Sequence, residues 1–166
     1  MQQAGDAVLA RPVQVEVGGR FARRGAMTDD SLGGTKAVGT QELAPYEGRF
    51  VPFREVRTAP RWLQRPHPPI WVGGASDAAL RRAVLHGDAW HPIRIKLSFL
   101  REALPKLRRM ADEAKRPMPA LCPRMHLRLT EKPVADDGRL MGHGTLDQVR
   151  DDFAASKLVF DFLAEQ

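Results

Sequence analysis

A single cysteine, Cys122, stands in the 166 residues. An internal disulfide is therefore impossible and no cysteine-based metal cluster can form; the thiol reads as a small buried apolar group rather than a nucleophile. No run approaches the about 20 apolar residues that a membrane span needs, and the start MQQAGD lacks a basic stretch followed by an apolar one. Both absences predict a cytoplasmic protein without a membrane segment. Histidines His67, His86, His126 and His143 fall into no H-E-x-x-H or related ligand spacing, so no metal site is expected. Aromatic residues are sparse. Trp62, Trp71, Trp90 and the single Tyr46 do not interleave with basic residues as a nucleic-acid surface requires, and Trp62 and Trp71 read as packing residues.

What is present suits one soluble globular domain over residues 1–166: 43% of the residues are hydrophobic and 28% charged. Lys and Arg number 26 against 20 Asp and Glu, a formal charge of +6, which favours anionic partners such as phosphorylated cofactors or, less specifically, nucleic acid. The basic residues are scattered, however, with Arg20, Arg23 and Arg24 early, then Arg81 and Arg82, then Lys106, Arg108 and Arg109. Solvated helix faces explain that distribution better than a binding stripe, and no motif asks for nucleic acid.

Along the chain, VQVEV at residues 13–17 alternates like a strand and is closed by Gly18-Gly19. Residues 28–40 open like a helix, with Thr28 as N-cap and Asp29 and Asp30 in the first turn. Gly33, Gly34 and Gly39 then fall in its interior at about 1 kcal/mol each, which predicts a poor helix. A glycine turn between aromatic and β-branched residues follows at 46–53, and prolines from Pro60 to Pro69 force an extended connector. PIWVGG at residues 69–74 then reads as a short strand. Ser76 caps a helix bearing Leu80, Ala83 and Val84 on one face, and Gly87 stops it. A second unit pairs a strand at 89–93 with a helix at about 98–114, in which Pro105 predicts a kink or a later start. A third strand is expected at 124–130, where Arg124, His126 and Arg128 share one face. Its helix opens at Thr145 with Gln148 completing a capping box, and LVFDFL at 158–163 reads as a final strand. Repeated β/α alternation predicts an α/β fold with a parallel sheet and helices packed outside it.

The chemistry concentrates at Gly73-Gly74-Ala75-Ser76. Backbone N–H groups, a hydroxyl and the positive end of a helix meet there, a recipe for holding a phosphate. A glycine pair between strand and helix also serves simply to let the two pack closely, so two readings of the turn stand side by side. His91, beside Trp90 at the end of the next strand, likewise reads either as a proton donor or substrate contact or as a hydrogen-bonded structural histidine.

The segment PHPPIWVGGASDAALRRAVLHGDAW at residues 66–90 resembles the signature of the luciferase-like oxidoreductase superfamily, especially its deazaflavin-dependent branch. RRGAMTDDSL at 23–32, YEGRFVPF at 46–53 and GTLDQVRDDF at 144–153 resemble further family motifs in the family's order, so the likeness covers most of residues 23–163; residues 1–22 match it poorly. The resemblance implies an oxidoreductase that performs hydride transfer or monooxygenation on a small-molecule substrate with coenzyme F-420 (a deazaflavin) or FMN. It further implies that Gly73, Gly74, Ala75 and Ser76 contact the cofactor phosphate and that Ala89, Trp90 and His91 approach the cofactor or substrate pocket. Family members are (β/α) barrels of about 250 residues and eight strands, of which about four, the C-terminal β/α units, have counterparts here.

Contacts to the flavin ring that such enzymes draw from their early strands have no counterpart, Ala89 stands where the family has glycine, and the final segment is short. These departures imply a partial TIM-like barrel, from a truncated or degraded copy or a start assigned too late. The competing expectation is a non-catalytic half-barrel that associates with itself or with a separate half through an open sheet edge.

Overall fold

The computed structural model describes residues 23–164, with side chains through Ser156; the expected strand at 13–17 lies outside that range. In chain order come helix α1 (Arg24–Thr40), strands β1 (Ala44–Tyr46) and β2 (Phe53–Val56), β3 (Trp71–Gly73), α2 (Asp77–His86), β4 (Ala89–His91), α3 (Leu97–Glu113), the short strands β5 (Ala120–Leu121), β6 (Arg128–Leu129) and β7 (His143–Gly144), and α4 (Leu146–Ala164). β1 and β2 form an antiparallel hairpin; β3, β4 and β5 form a parallel sheet in that order; β6 and β7 pair in parallel. An isolated parallel bridge, Ile93 to Arg124, continues the β4–β5 pairing in the same register beyond the ends of the two strands.

Strand pleating decides what the central sheet does with its two faces. Val72 lies opposite Trp90, and both point to the side where α2 and α3 pack. Leu80, Ala83 and Val84 of α2 and Leu100, Ala103, Leu104, Leu107 and Ala111 of α3 meet them there, at the spacing that gives each helix one buried stripe. Trp71, Gly73, Ala89 and His91 occupy the opposite face. Helix α2 starts and stops where its local signals say: the Ser76 side chain accepts from Ala79 N–H, and Gly87 is the C-cap. Pro105 does not delay α3, which begins upstream at Leu97 and carries the proline inside it on its exposed side, while the buried stripe on the other side holds the helix in place.

Four expectations are corrected. The region of Gly33, Gly34 and Gly39 is not a poor helix but the body of the 17-residue α1. Thr28, expected as its N-cap, sits inside it and bonds back to the Arg24 carbonyl at 2.8 Å. The glycines lie under aromatic rings: side chains at Gly33 and Gly34 would press on Tyr46 and Phe53, and one at Gly39 would overlap Trp62. Helix propensity measured in water does not count that tertiary contact. Asp30 locks the hairpin onto α1 by accepting from Phe50 N–H at 2.7 Å, Val51 N–H at 3.0 Å, Arg49 N–H at 3.1 Å and the Tyr46 hydroxyl at 3.1 Å. Burial opposes its charge, but these donors prevail and hold its carboxyl below the usual aspartate value.

The strand expected at 124–130 shrinks to Arg128–Leu129. Leu127 and Leu129 are exposed, so the alternation in the sequence has no second layer to bury it among the described residues. The run at 158–163 is helical, continuing α4 to Ala164. A continuous apolar run carries no period of its own, and no glycine or proline separates it from the helix before it.

Helix α4 is anchored by two polar devices. Its capping box forms as the motif requires: Gln148 N–H donates to Thr145 Oγ1 at 3.4 Å, and Gln148 Oε1 accepts from Thr145 N–H at 3.2 Å. The same amide also accepts from Val134 N–H and donates to the Val134 carbonyl. One turn on, Asp152, 1% exposed, receives both Nη atoms of Arg139 at 2.8 and 2.9 Å and Gly142 N–H at 2.9 Å. The Asp152 bonds raise the Arg139 pKa against the opposing effect of burial, with Asp136 assisting.

Candidate functional site

The β3–α2 turn has little freedom. Gly74 has φ +104°, and a Cβ there would come within 2.8 Å of Ala79 Cβ, so backbone and packing both require glycine. Its carbonyl accepts from the Trp90 indole N–H at 2.9 Å. Ser76 satisfies the third and fourth N–H groups of α2: Ala79 N–H bonds its carbonyl at 2.8 Å and its Oγ at 3.3 Å, and Leu80 N–H bonds the carbonyl at 3.0 Å. Asp77 and Ala78, the first two residues of the helix, have no intrahelical acceptor, and Ser76 still has its hydroxyl proton to donate. The carboxylate of Asp77, which would repel an anion, is drawn to Lys106 Nζ at 3.6 Å.

Gly73 is different. A Cβ there would meet only the His91 carbonyl at 3.6 Å, and the position is exposed. Nothing in the packing of the described residues demands glycine. The missing side chain leaves open space at the carboxyl end of the sheet, the room a phosphate needs to approach the backbone.

His91 pairs with Gly73 across the ladder. Its Nδ1 lies 2.5 Å from the Cys122 carbonyl, and because a carbonyl can only accept, Nδ1 must carry the proton. In the neutral ring Nε2 is then left as an acceptor. The ring lies 5.3 Å from that of Trp71, tilted 45°. Trp71 is 56% exposed rather than a packing residue, so it and His91 form an aromatic shelf on the uncovered face.

Of the sequence-derived site residues, Gly73, Gly74, Ala75 and Ser76 thus form one exposed turn, and His91 lies beside it. Trp90 does not join them at the surface. Its side chain is 0% exposed and reaches the site only by fixing the Gly74 carbonyl. Trp71 and the Cys122 carbonyl were missed, although the alternation in PIWVGG does put Trp71 and Gly73 on one face. The remaining histidines stand apart from this turn. His67 Nδ1 bonds the Pro68 carbonyl at 2.9 Å, and burial pushes His86 down, with Lys36, Arg116 and Arg82 adding to the effect and Asp29 opposing it. Among the described residues no group of three His, Cys, Asp or Glu side chains could hold a metal ion, and no helix is long and apolar enough to cross a membrane.

A parallel sheet whose strand ends carry a glycine turn, a helix N-terminus and an acceptor nitrogen can be compared with known proteins. The family profile described as luciferase-like monooxygenase matches residues 9–137. The chain belongs to the luciferase-like monooxygenase family. An FMNH2-dependent dimethylsulfone monooxygenase of Pseudomonas putida is 36% identical over 52 residues, which cover 31% of this chain and 14% of that protein. Among solved structures, a monooxygenase from Streptomyces bottropensis aligns with a TM-score of 0.50 at 22% identity, covering 82% of this chain and 40% of its own. A coenzyme F-420-dependent secondary alcohol dehydrogenase, bound to an adduct of its coenzyme with acetone, aligns with a TM-score of 0.56 at 14% identity, covering 82% and 45%. At those identities the likeness is one of fold, and this luciferase-like chain spans less than half the length of the relatives it matches.

Proposed function

We propose that this chain is the cofactor-holding portion of a flavin- or deazaflavin-dependent oxidoreductase, and that the cofactor phosphate sits on Gly73, Gly74, Ala75 and Ser76. The observation that carries the proposal is the open space at Gly73, which no packing contact among the described residues explains. Ala75 and Ser76 bring backbone and hydroxyl donors, and the start of α2 adds its positive dipole end. Family membership, an FMNH2-dependent relative and a coenzyme F-420-dependent fold neighbour support FMN or coenzyme F-420 as the group held. When bound, such a cofactor supplies the hydride or oxygen chemistry. The chain's own contributions are to anchor the phosphate, to hold the turn rigid through Trp90, and to offer His91 Nε2 as a proton acceptor on the same face. In this reading the described residues are one sector of a TIM-like barrel, with Trp71, Gly73 and His91 on its inner wall.

Fluorescence titration of the purified chain with coenzyme F-420 and, separately, FMN tests the assignment. Saturable binding of one cofactor in the wild type, lost in Gly73→Val at unchanged fold, is expected. Equal affinity in the variant refutes the phosphate site.

A second reading has its own observation. Trp71, Ile93, Leu127 and Leu129 are 56%, 48%, 67% and 56% exposed, so the sheets and the loops that follow them present large apolar groups to solvent. We infer that these groups are covered by another copy or by a complementary half of a barrel. Sedimentation velocity of the chain should show concentration-dependent association that Trp71→Ser and Leu127→Ser weaken; a monomer at all concentrations counts against it.

A further inference from the structure

Away from the glycine turn, Arg94, His126, Leu127, Arg128 and His143 line a cavity of about 360 Å³. Four of the five side chains carry or can take a positive charge, and among the described residues no carboxylate contributes to the wall. These residues come from three segments: the loop between β4 and α3, the stretch running into β6, and β7. The segments are tied together by backbone hydrogen bonds. Arg124 N–H donates to the Pro92 carbonyl at 2.8 Å, Arg128 N–H to Gly142 at 2.9 Å and Thr130 N–H to Gly144 at 2.9 Å. Arg128 lies directly opposite His143 in the β6–β7 ladder, and Arg94 holds a left-handed backbone with φ 53° that side chains rarely adopt. The pocket is thus preformed by the fold.

Solvated arginines are common on protein surfaces, and one face of a basic strand proves nothing alone. The contrast within this region is informative. Arg139 is neutralised by Asp136 and by Asp152, whereas Arg94 and Arg128 line the cavity with no ion pair to another of the described residues. Setting two arginines around one concavity is unfavourable until an anion fills it. Arginine is also the side chain that grips carboxylate and phosphate in a bidentate fork.

We propose that the Arg94–His126–Arg128–His143 pocket binds an oxyanion, and that the substrate of this protein carries a phosphate or carboxylate group seated there. Arg94 follows His91 by three positions, just beyond the carboxyl end of β4, so one strand leads from the candidate cofactor turn's neighbour to the pocket. The substrate assignment rests on the oxidoreductase reading; the anion site itself does not.

The test is an NMR titration of the full chain with inorganic phosphate and, separately, acetate, each against chloride at matched ionic strength, following the ring protons of His126 and His143. Saturable shifts with either probe are expected, and the probe that saturates names the class of oxyanion. In the Arg94→Asn/Arg128→Gln variant, where asparagine tolerates the left-handed backbone, affinity should fall about tenfold, the loss of one or two charge-assisted hydrogen bonds. The single Arg128→Gln variant, on an exposed strand, gives the same readout with a smaller loss. Gly73→Val should leave this binding untouched, which separates failure here from failure of the phosphate turn. Shifts no larger than those with chloride, unchanged affinity in the double variant, or loss of binding in Gly73→Val would each overturn the proposal.

Discussion

The Trp90 indole N–H reaches the Gly74 carbonyl at 2.9 Å, joining the largest side chain of the core to the turn proposed to hold a phosphate. Trp90→Phe keeps most of the buried area and removes this bond. It should lower stability by about 1–3 kcal/mol, the range for a hydrogen bond whose acceptor is left unsatisfied. Cofactor affinity should fall further than that of a control core variant of equal stability such as Leu104→Val. Equal affinities in the two would mean that the indole merely packs.

The two glycines of the turn should behave oppositely. Gly74→Ala strains a backbone at φ +104° and crowds Ala79, so thermal unfolding should report a loss of about 1–3 kcal/mol. Gly73→Ala meets only a carbonyl at van der Waals distance and should fold at wild-type stability while losing cofactor affinity. A stable Gly73→Ala that binds as well as the wild type would leave the turn with a purely structural role.

Gly39→Ala sets helix propensity against packing. Propensity alone promises a gain of about 1 kcal/mol in a helix interior. Because the new methyl group would overlap Trp62, denaturant unfolding should show a net loss instead. The same conflict explains why α1 was not legible in the sequence. The rule that glycine weakens helices assumes that nothing lies against them, and the rings that do are as many as 23 positions away in the chain.

Helix α2, by contrast, was readable to the residue, and the strand before it to within two residues at its start. Its signals are local: the cap at Ser76, the stop at Gly87 and the buried stripe of Leu80, Ala83 and Val84 lie within one short stretch. The turn proposed to hold a phosphate was visible for that reason. The indole bond to Gly74, the free volume at Gly73 and the His91 link to the Cys122 carbonyl depend on neighbouring strands and had no local trace. Residues 158–163 were misread because an apolar run suits either a buried strand or a helix.

Asp152→Ala leaves the Arg139 guanidinium with one remaining carboxylate, Asp136, and removes the acceptor of Gly142 N–H. Breaking one side of a buried pair costs about 3–5 kcal/mol, so calorimetry should show a large drop in the unfolding temperature. A loss under 1 kcal/mol would mean that water replaces the carboxylate there.

Acid should act in two windows. Asp30 is held below its ordinary value of 3.8, so its contribution is present above that pH and is lost as pH falls through the lower folded value. His86 is held below 6.5: the folded chain favours its neutral ring, and stability drops as pH falls beneath that value and the unfolded ring takes up a proton first. Unfolding curves from pH 8 to pH 3 should lose the upper step in His86→Gln and the lower one in Asp30→Asn. Steps that persist in both variants would assign the acid sensitivity elsewhere.

Gln148 shows how little chemical change its position tolerates. Its oxygen serves two backbone N–H groups, of Thr145 and Val134, while its nitrogen returns a proton to the Val134 carbonyl. A glutamate has the same outline and would be an even better acceptor at a helix start, yet it would set a carboxylate oxygen against that carbonyl. Exchanging NH2 for O at one atom would therefore fasten α4 more firmly to its own first turn while prying the loop around Val134 off it. Two residues that helix rules treat as equivalents would give this protein opposite instructions.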